Sequence, residues 1–233
     1  GLLSIGRYMR INNKEYTYIV IGVGKETTQR VLAKWVLDNR DLYDFEDANN
    51  AILLIGFCGG LDPSLRPGDV VVSTNYLLDP ELREGCINNQ LHPNQDMFLK
   101  AVHVVAEKNM RLSTAPSITT NHIVGTRTEK SKLRESSNAA AVNMEDFWVA
   151  DFAQQRDIRF LSVRIVIDEA ALEVSTDILN LSRAHILPWK VLQLGLSRPK
   201  QLMQLGKLLI RLVFAKRKLG IFVGGFLAPT KWA

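Results

Sequence analysis

The sequence predicts an α/β fold: a three-layer arrangement whose central mixed sheet carries helices on both faces. Three observations predict it. Apolar, β-rich runs alternate with stretches of helical period along most of the chain. One run, AILLIGFCGG at 51–60, is apolar without a break, as a strand covered on both faces requires. Glycines and carboxylates gather at the predicted carboxyl ends of strands, where ligands collect in such sheets.

The elements follow in order. YTYIVIGVG (16–24) is β-branched and aromatic and ends in glycine, so a strand is expected there. KETTQRVLAKWVLDN (25–39) reads as a helix with an apolar stripe of Val31, Leu32, Trp35 and Val36. PGDVVVST (67–74) is a tight turn feeding a strand, and residues 75–94 read as an excursion. QDMFLKAVHVVAEKN (95–109) is helical. APSITTNHIVG (115–125) and AAAVNM (139–144) are strands around a short helix near 128–136. EDFWVADFAQQRD (145–157) is a helix, RFLSVRIVID (159–168) a strand, and the remainder mostly helical.

A chain of 233 residues, 46% hydrophobic, supports one large domain with a buried core and excludes a disordered chain. Two cysteines, Cys58 and Cys86, make no disulfide framework. The four histidines, His92, His103, His122 and His185, lack ligand spacing, so no metal site is expected. A reducing cytoplasm is the expected compartment. The net charge of +5 conceals an asymmetry: after Asp177 come ten basic residues and no acidic ones, while the preceding residues hold 19 basic and 24 acidic side chains. An acidic body with a basic tail gives no reason to expect nucleic acid as partner. The uncharged stretch Leu219–Thr230 is too short to span a bilayer, and no signal peptide is expected at the start.

Four places carry candidate chemistry. In GVGKETTQR, Gly24 and Lys25 stand at a predicted helix start that faces an anion well, although simple strand–helix packing is the plainer reading. The third glycine of a dinucleotide fingerprint and the Gly-Lys-Ser/Thr of a P-loop are both absent. In IGFCGGLDPSLRPGDVVVS, Gly59 and Gly60 permit close backbone approach after a buried strand. Cys58 there reads as a small buried thiol rather than a nucleophile. Glu145 and Asp146 sit where a strand becomes a helix, a position the helix dipole alone would favour. Asp168 ends the next strand. By period two it shares a face with Ser162, Arg164 and Val166, and an arginine on that apolar face wants a carboxylate partner.

Taken in order, GGLDPSLRPGDVVVS (59–73), Met144-Glu145 and VRIVID (163–168) resemble the nucleoside phosphorylase/nucleosidase superfamily. The likeness is strongest to its 5'-methylthioadenosine/S-adenosylhomocysteine nucleosidase branch and covers residues 16–187. The resemblance implies the phosphorylase/hydrolase-like fold, cleavage of the N-glycosidic bond of a 5'-substituted adenosine, no cofactor, and the family's usual homodimer. It implies that Glu145 accepts both ribose hydroxyls and that Met144, beside Asn143, lies against the ribose. Asp168 protonates purine N7, with Arg164 orienting that acid. TNHIVG (120–125) aligns with the segment that sandwiches the base. His122 stands where the family has an aromatic residue, and Ile123 bonds the base through its backbone. The turn of Phe57, Cys58, Gly59 and Gly60 lines the substrate. Two departures bear on the acceptor. No counterpart of the family's opening strand, with its water-activating Glu or phosphate-binding Gly and Arg, precedes GLLSIGRYMR. Leu54 and Phe57 replace the polar phosphate ligands of true phosphorylases, so a phosphate site would have to be built elsewhere, from Gly24 and Lys25. Water and phosphate both stay open as acceptors.

Residues 1–192 are expected to form the domain and 193–233 a basic amphipathic tail. Lys200, Lys207, Arg211 and Lys218 make one helical stripe on an otherwise apolar segment. A helix lying in a membrane interface fits this, with Phe222, Phe226 and Trp232 as anchors. A helix packed on the domain or on a partner subunit, its basic face solvated, fits as well. The tail also resembles that of the hopanoid-associated phosphorylase branch, which implies an adenosylhopane-like, lipid-linked nucleoside and a peripheral place at the inner face of the membrane. Two alternatives stand beside that enzyme: a soluble methylthioadenosine nucleosidase or purine phosphorylase, and a catalytically silent nucleoside-binding or scaffold protein.

Overall fold

The computed structural model describes residues 7–11, 14–39, 50–170 and 199–228. Strands β1 (Arg7–Ile11) and β2 (Lys14–Tyr18) pair antiparallel as a hairpin apart from the main sheet. The strand expected over 16–24 therefore stops at Tyr18. Gly22 and Gly24 adopt φ of 77° and 84°, which breaks the extended run before helix α1 (Lys25–Asp38). Thr28 and Leu32 form the buried part of α1.

The main sheet holds β3 (Ala51–Gly60), β4 (Val70–Leu78), β5 (Gln90–Leu91), β6 (Leu112–Thr119), β7 (Ala141–Asn143) and β8 (Arg159–Asp168). Their order is β5-β4-β6-β7-β3-β8, and β4 also pairs with β8, so the sheet closes on itself. It is mixed: β3–β8, β4–β6 and β6–β7 are parallel, while β3–β7, β4–β5 and β4–β8 are antiparallel. The predicted excursion at 75–94 begins only after Leu78 and contains a 3-10 turn (Pro80–Leu82) and β5. β3 has the predicted bounds, but it is not covered throughout: Ile55 is 40% exposed.

Helices α2 (Gln95–Glu107), α3 (Arg127–Ser137), α4 (Asp146–Gln154) and α5 (Pro199–Leu227) complete the fold. Their starts are written in sequence. Asn94 caps α2 by accepting from the Met97 amide, and Thr126 with Glu129 makes a capping box on α3. Helices α4 and α1 cover one side of the sheet, where Leu32, Phe147, Trp148 and Ala150 pack with Tyr76 and Phe160. Helices α2 and α5 cover the other, over Val70, Val72, Leu161, Val163 and Ile165.

Helix α5 is part of this core. Ala215, Leu219, Phe222 and Phe226, one stripe at helical spacing, are buried against α2 and β8. Gly225 lets the two helices approach, since a Cβ there would lie 2.8 Å from Val104 Cγ1. Phe222 and Phe226, expected as membrane anchors, are thus spent on packing. Arg211 and Lys218 turn the same way: Lys218 Nζ donates to the Gly68 carbonyl at 2.6 Å, and Arg211 lies 3.5 Å from Glu169. The outward face is mixed, with Leu209, Ile210, Val213, Phe214 and Ile221 exposed beside Lys216 and Arg217. The boundary expected at residue 192, Trp232, and the side chains of Lys200 and Lys207 lie outside the described residues. Among the described residues, no helix is long and apolar enough to cross a membrane.

Candidate active site

The site grows from a register. Gly59 on β3 is opposite Val142 of β7 on one side and Asp168 of β8 on the other. Adjacent strands stand about 4.8 Å apart, so Asp168 and the turn from β7 into α4 flank one glycine. A Cβ on Gly59 would lie 3.1 Å from Asp168 Oδ1 and 3.1 Å from Val142 Cγ1. One on Gly60 would lie 3.1 Å from the Asp168 carbonyl. The two glycines leave room for the Asp168 strand end, a reason the turn alone did not disclose.

The adjacent carboxylates at the start of α4 divide into two roles. Asp146 is fully buried and turned into the sheet. Its Oδ1 accepts from Ser162 Oγ at 2.8 Å and from Arg164 Nε at 2.8 Å, with a second short bond from the other arm of the guanidinium. Its Oδ2 accepts from Asn143 Nδ2 at 2.8 Å and Ser117 Oγ at 3.2 Å. Every lone pair has a donor, which is what a buried carboxylate requires. Glu145 sits at the helix N-cap position and accepts from the Gly24 amide at 3.3 Å. Its Oε2 is 3.3 Å from the Arg164 guanidinium. Burial pushes its carboxyl up; Arg164 opposes this and Asp146 adds to it.

Asn143 is committed to this turn. Its Oδ1 accepts from the amides of Glu145 (3.1 Å) and Asp146 (2.8 Å) and from Thr119 Oγ1 (3.0 Å). It was expected among the substrate-binding residues, yet its side chain is occupied in shaping the β7–α4 corner. Arg164 likewise differs from expectation. It clamps Asp146 and Glu145 and donates to the Phe57 carbonyl at 3.3 Å, whereas Asp168 pairs with Lys130. Arg164 thus takes the two acids that open α4, and Asp168 takes a cation from α3. Gly56, in register with Arg164, makes the space: a Cβ there would run into the guanidinium.

Asp168 is 9% exposed and Lys130 only 1%. Lys130 Nζ makes a short bond to Asp168 Oδ2 and donates to the Glu169 carbonyl at 2.8 Å. Burial pushes the Asp168 carboxyl up, against the pull of Lys130 and then Arg211.

The remaining candidates spread around this centre. Gly24 lies against Met144, whose Cε is 3.9 Å from where a Cβ would be. The Gly24 amide points at Glu145, and Lys25 sits over the Trp148 ring at 4.5 Å, so this helix start faces a carboxylate of the protein itself. His122 is exposed and bonds Asn121 at 2.7 Å, and Ile123 beside it is exposed too. The Cys58 side chain packs with Leu65, Val71, Ala140, Ala141 and Val166, and burial pushes its thiol up. Phe57 packs toward α2 and α5. The Cys58 thiol lies within electrostatic reach of Arg164, Asp168 and Asp146. A cavity of about 280 Å³ opens beyond the strand end between Leu61, Arg66, Arg127 and Glu169; neither Glu145 nor Asp168 lines it. Among the described residues, no group of three or more His, Cys, Asp or Glu is placed to hold a metal ion.

Lys130 and Gly56 were not foreseen. A signal for the first existed: α3, RTEKSKLRESS, has Leu133 as its single large apolar residue, so a helix that must face the sheet has to turn something polar inward.

A family model described as the phosphorylase superfamily matches residues 1–185. A search of the curated proteins found no match. Among solved structures, native futalosine hydrolase of Helicobacter pylori is similar with a TM-score of 0.69 and 16% identity, covering 95% of this chain and 84% of that one. The 5'-methylthioadenosine/S-adenosylhomocysteine nucleosidase of Helicobacter pylori with butyl-thio-DADMe-Immucillin-A gives 0.67, 17%, 95% and 84% in the same order. The corresponding Neisseria meningitidis nucleosidase with methylthio-immucillin-A gives 0.68, 16%, 94% and 84%. At these identities the likeness concerns the fold.

Proposed function

The chain belongs to the phosphorylase superfamily, and on that premise we propose that it cleaves the N-glycosidic bond of a 5'-substituted adenosine and releases adenine. One observation carries the reading: Asp168 flanks the Gly59 strand end on one side, and β7, which leads into the buried Glu145 at the start of α4, flanks it on the other. Asp168 gives its proton to purine N7 as the C1'–N9 bond breaks, so adenine leaves neutral and the ribose passes through an oxocarbenium-like state. General acid catalysis of this kind supplies roughly 10²–10⁴ in rate. Glu145 accepts both ribose hydroxyls, and its charge also favours the positive sugar. Met144 packs against the ribose; His122 and Ile123 stand over the base. Solved relatives with methylthioadenosine or its analogues support the substrate class.

Water is the acceptor in this reading. Leu54 and Phe57 are apolar, the Gly24 amide is committed to Glu145, and Lys25 is held over Trp148. Adenine release from methylthioadenosine and S-adenosylhomocysteine, with and without phosphate, tests both points. Wild type is expected to turn over at similar rates in the two buffers, and Asp168→Asn to lose turnover at temperatures where it is still folded, its melting curve lowered because Lys130 loses its partner. An absolute phosphate requirement would overturn the acceptor; an active Asn variant would overturn the acid.

The outer face of α5 favours a lipid-linked substrate within this class. Leu209, Ile210, Val213, Phe214 and Ile221 are exposed beside the exposed Lys216 and Arg217, the mixture of an interfacial helix. Contact with an anionic leaflet through this face would bring the enzyme to a nucleoside carried on a lipid.

A further inference from the structure

Lys130 has no part in the reaction as described, yet it is one of the most buried charged groups of the protein. A lysine ammonium taken out of water is costly unless a partner holds it. Its helix, α3, delivers it to the end of β8, where it meets Asp168 Oδ2 and the Glu169 carbonyl. Asp168 Oδ1 is the oxygen nearer Gly59, since a Cβ there would lie 3.1 Å from Oδ1 and 3.4 Å from Oδ2. The carboxyl group thus has Oδ2 bound by a cation, with Oδ1 the somewhat nearer oxygen to Gly59.

We propose that Lys130 is the positioning residue for Asp168: it occupies Oδ2, leaves the transferable proton on Oδ1, and holds the carboxylate that remains after transfer. This rests on the reading of Asp168 as the general acid. The balance is simple. The Oδ1–H bond breaks and a bond to purine N7 forms, while the C1'–N9 electron pair stays with the base. Asp168 becomes a carboxylate, and the Lys130 ammonium is already beside it. No proton leaves Lys130. A donor bound to Oδ2 competes with a proton there, so protonation is directed to the other oxygen.

Other charges around Asp168 do not substitute for Lys130. Arg211 of α5 is shared with Glu169, which also lies 3.9 Å from Arg66. Arg164, on the same strand face, is held by Asp146 and Glu145. Gly59, from β3, brings no charge, and the thiol of Cys58 beside it, pushed up by burial, stays neutral.

The test is made on the full chain with Lys130→Gln, which keeps a donor for the Glu169 carbonyl but removes the charge, and with Lys130→Arg. Two quantities are read: the pH dependence of adenine release and the titration of the ¹³C-labelled Asp168 carboxyl, assigned with Asp168→Asn. For Lys130→Gln the carboxyl titration and the basic limb of kcat are expected to move up together by about one pH unit or more. At the pH optimum kcat should fall about tenfold or more with KM little changed, as for a group that acts mainly as the proton moves. Lys130→Arg should restore most of both. A lysine that merely fills space would change stability and leave the titration and the limb in place, which would overturn the proposal. Lys130→Met gives the same readouts if the Gln variant does not fold. Should wild type release no adenine at all, the proposed function fails, while the carboxyl titration still decides whether Lys130 governs Asp168.

Discussion

Glu145 and Asp146 are neighbours in the chain and opposites in environment, and each makes a prediction. Asp146 accepts from Ser117, Asn143, Ser162 and Arg164 without solvent. Asp146→Ala would strand a buried guanidinium and is expected to cost about 3–5 kcal/mol, read as a lower urea midpoint at unchanged m-value. A loss within error would show that Glu145 alone suffices for Arg164. Glu145 has the opposite sign. Burial raises its carboxyl above the ordinary range. A raised acid binds its proton more tightly when folded, so its contribution is fully present below the unfolded pKa and is lost as pH rises through the folded one. Glu145→Gln removes that titration. The variant should therefore gain thermal stability over wild type as pH rises from the carboxylate range to neutrality, and lose its preference for ribo over 2'-deoxy substrates. A stability difference independent of pH would contradict the first, and an intact ribo preference the second.

At the scale of elements, the pairing of β3 with β8 is governed by what the glycines exclude. Gly56 faces Arg164 across the strand pair, and any side chain there meets the guanidinium. Gly56→Ala is expected to cost about 1–3 kcal/mol by overpacking. Combining it with Arg164→Met, which replaces the wide planar group by a slender one, should give a total loss smaller than the sum of the two single losses. Strict additivity in chemical denaturation would mean that Gly56 serves the backbone rather than the arginine. Helix α5 follows the same logic: its buried stripe and Gly225 fit the groove left by α2, so it cannot be cut away without opening the core.

For the whole molecule, the exposed face of α5 sets a question of location. Co-sedimentation with phosphatidylserine vesicles at low and high salt compares wild type with Val213→Glu/Phe214→Glu, two outward changes that spare the buried stripe. Wild type is expected to pellet at low salt and the variant to stay in solution, since interfacial attachment combines apolar contact with salt-sensitive attraction. Equal behaviour of the two would remove the membrane reading. If sedimentation velocity then showed that the double change splits a dimer, the face would be a subunit contact and a soluble thioadenosine the better substrate.

The strand and helix order was legible from residue 51 to residue 168 because hydrophobic period and glycine turns are local: β3 and β8 have the predicted bounds, while the strand expected over 115–125 runs from Leu112 to Thr119. The ordered motifs, Gly59-Gly60, Met144-Glu145 and Arg164 with Asp168, pointed to a family and to one face of β8. Local rules also misled over 19–24, where composition favoured a strand that stops at Tyr18 and Gly22 and Gly24 adopt positive φ. What the sequence could not decide is which charges meet. Arg164 had three acids within reach of its face, and only the closure of the sheet and the placement of α4 gave it Asp146 and Glu145. Asp168 acquired Lys130 from a helix 38 residues earlier in the chain. Helix α5 is apolar around much of its girth, so its inward side was set by the groove of α2 and not by its own pattern. Periodicity assigns side chains to faces; pairing between faces depends on distances that exist only once the sheet has closed.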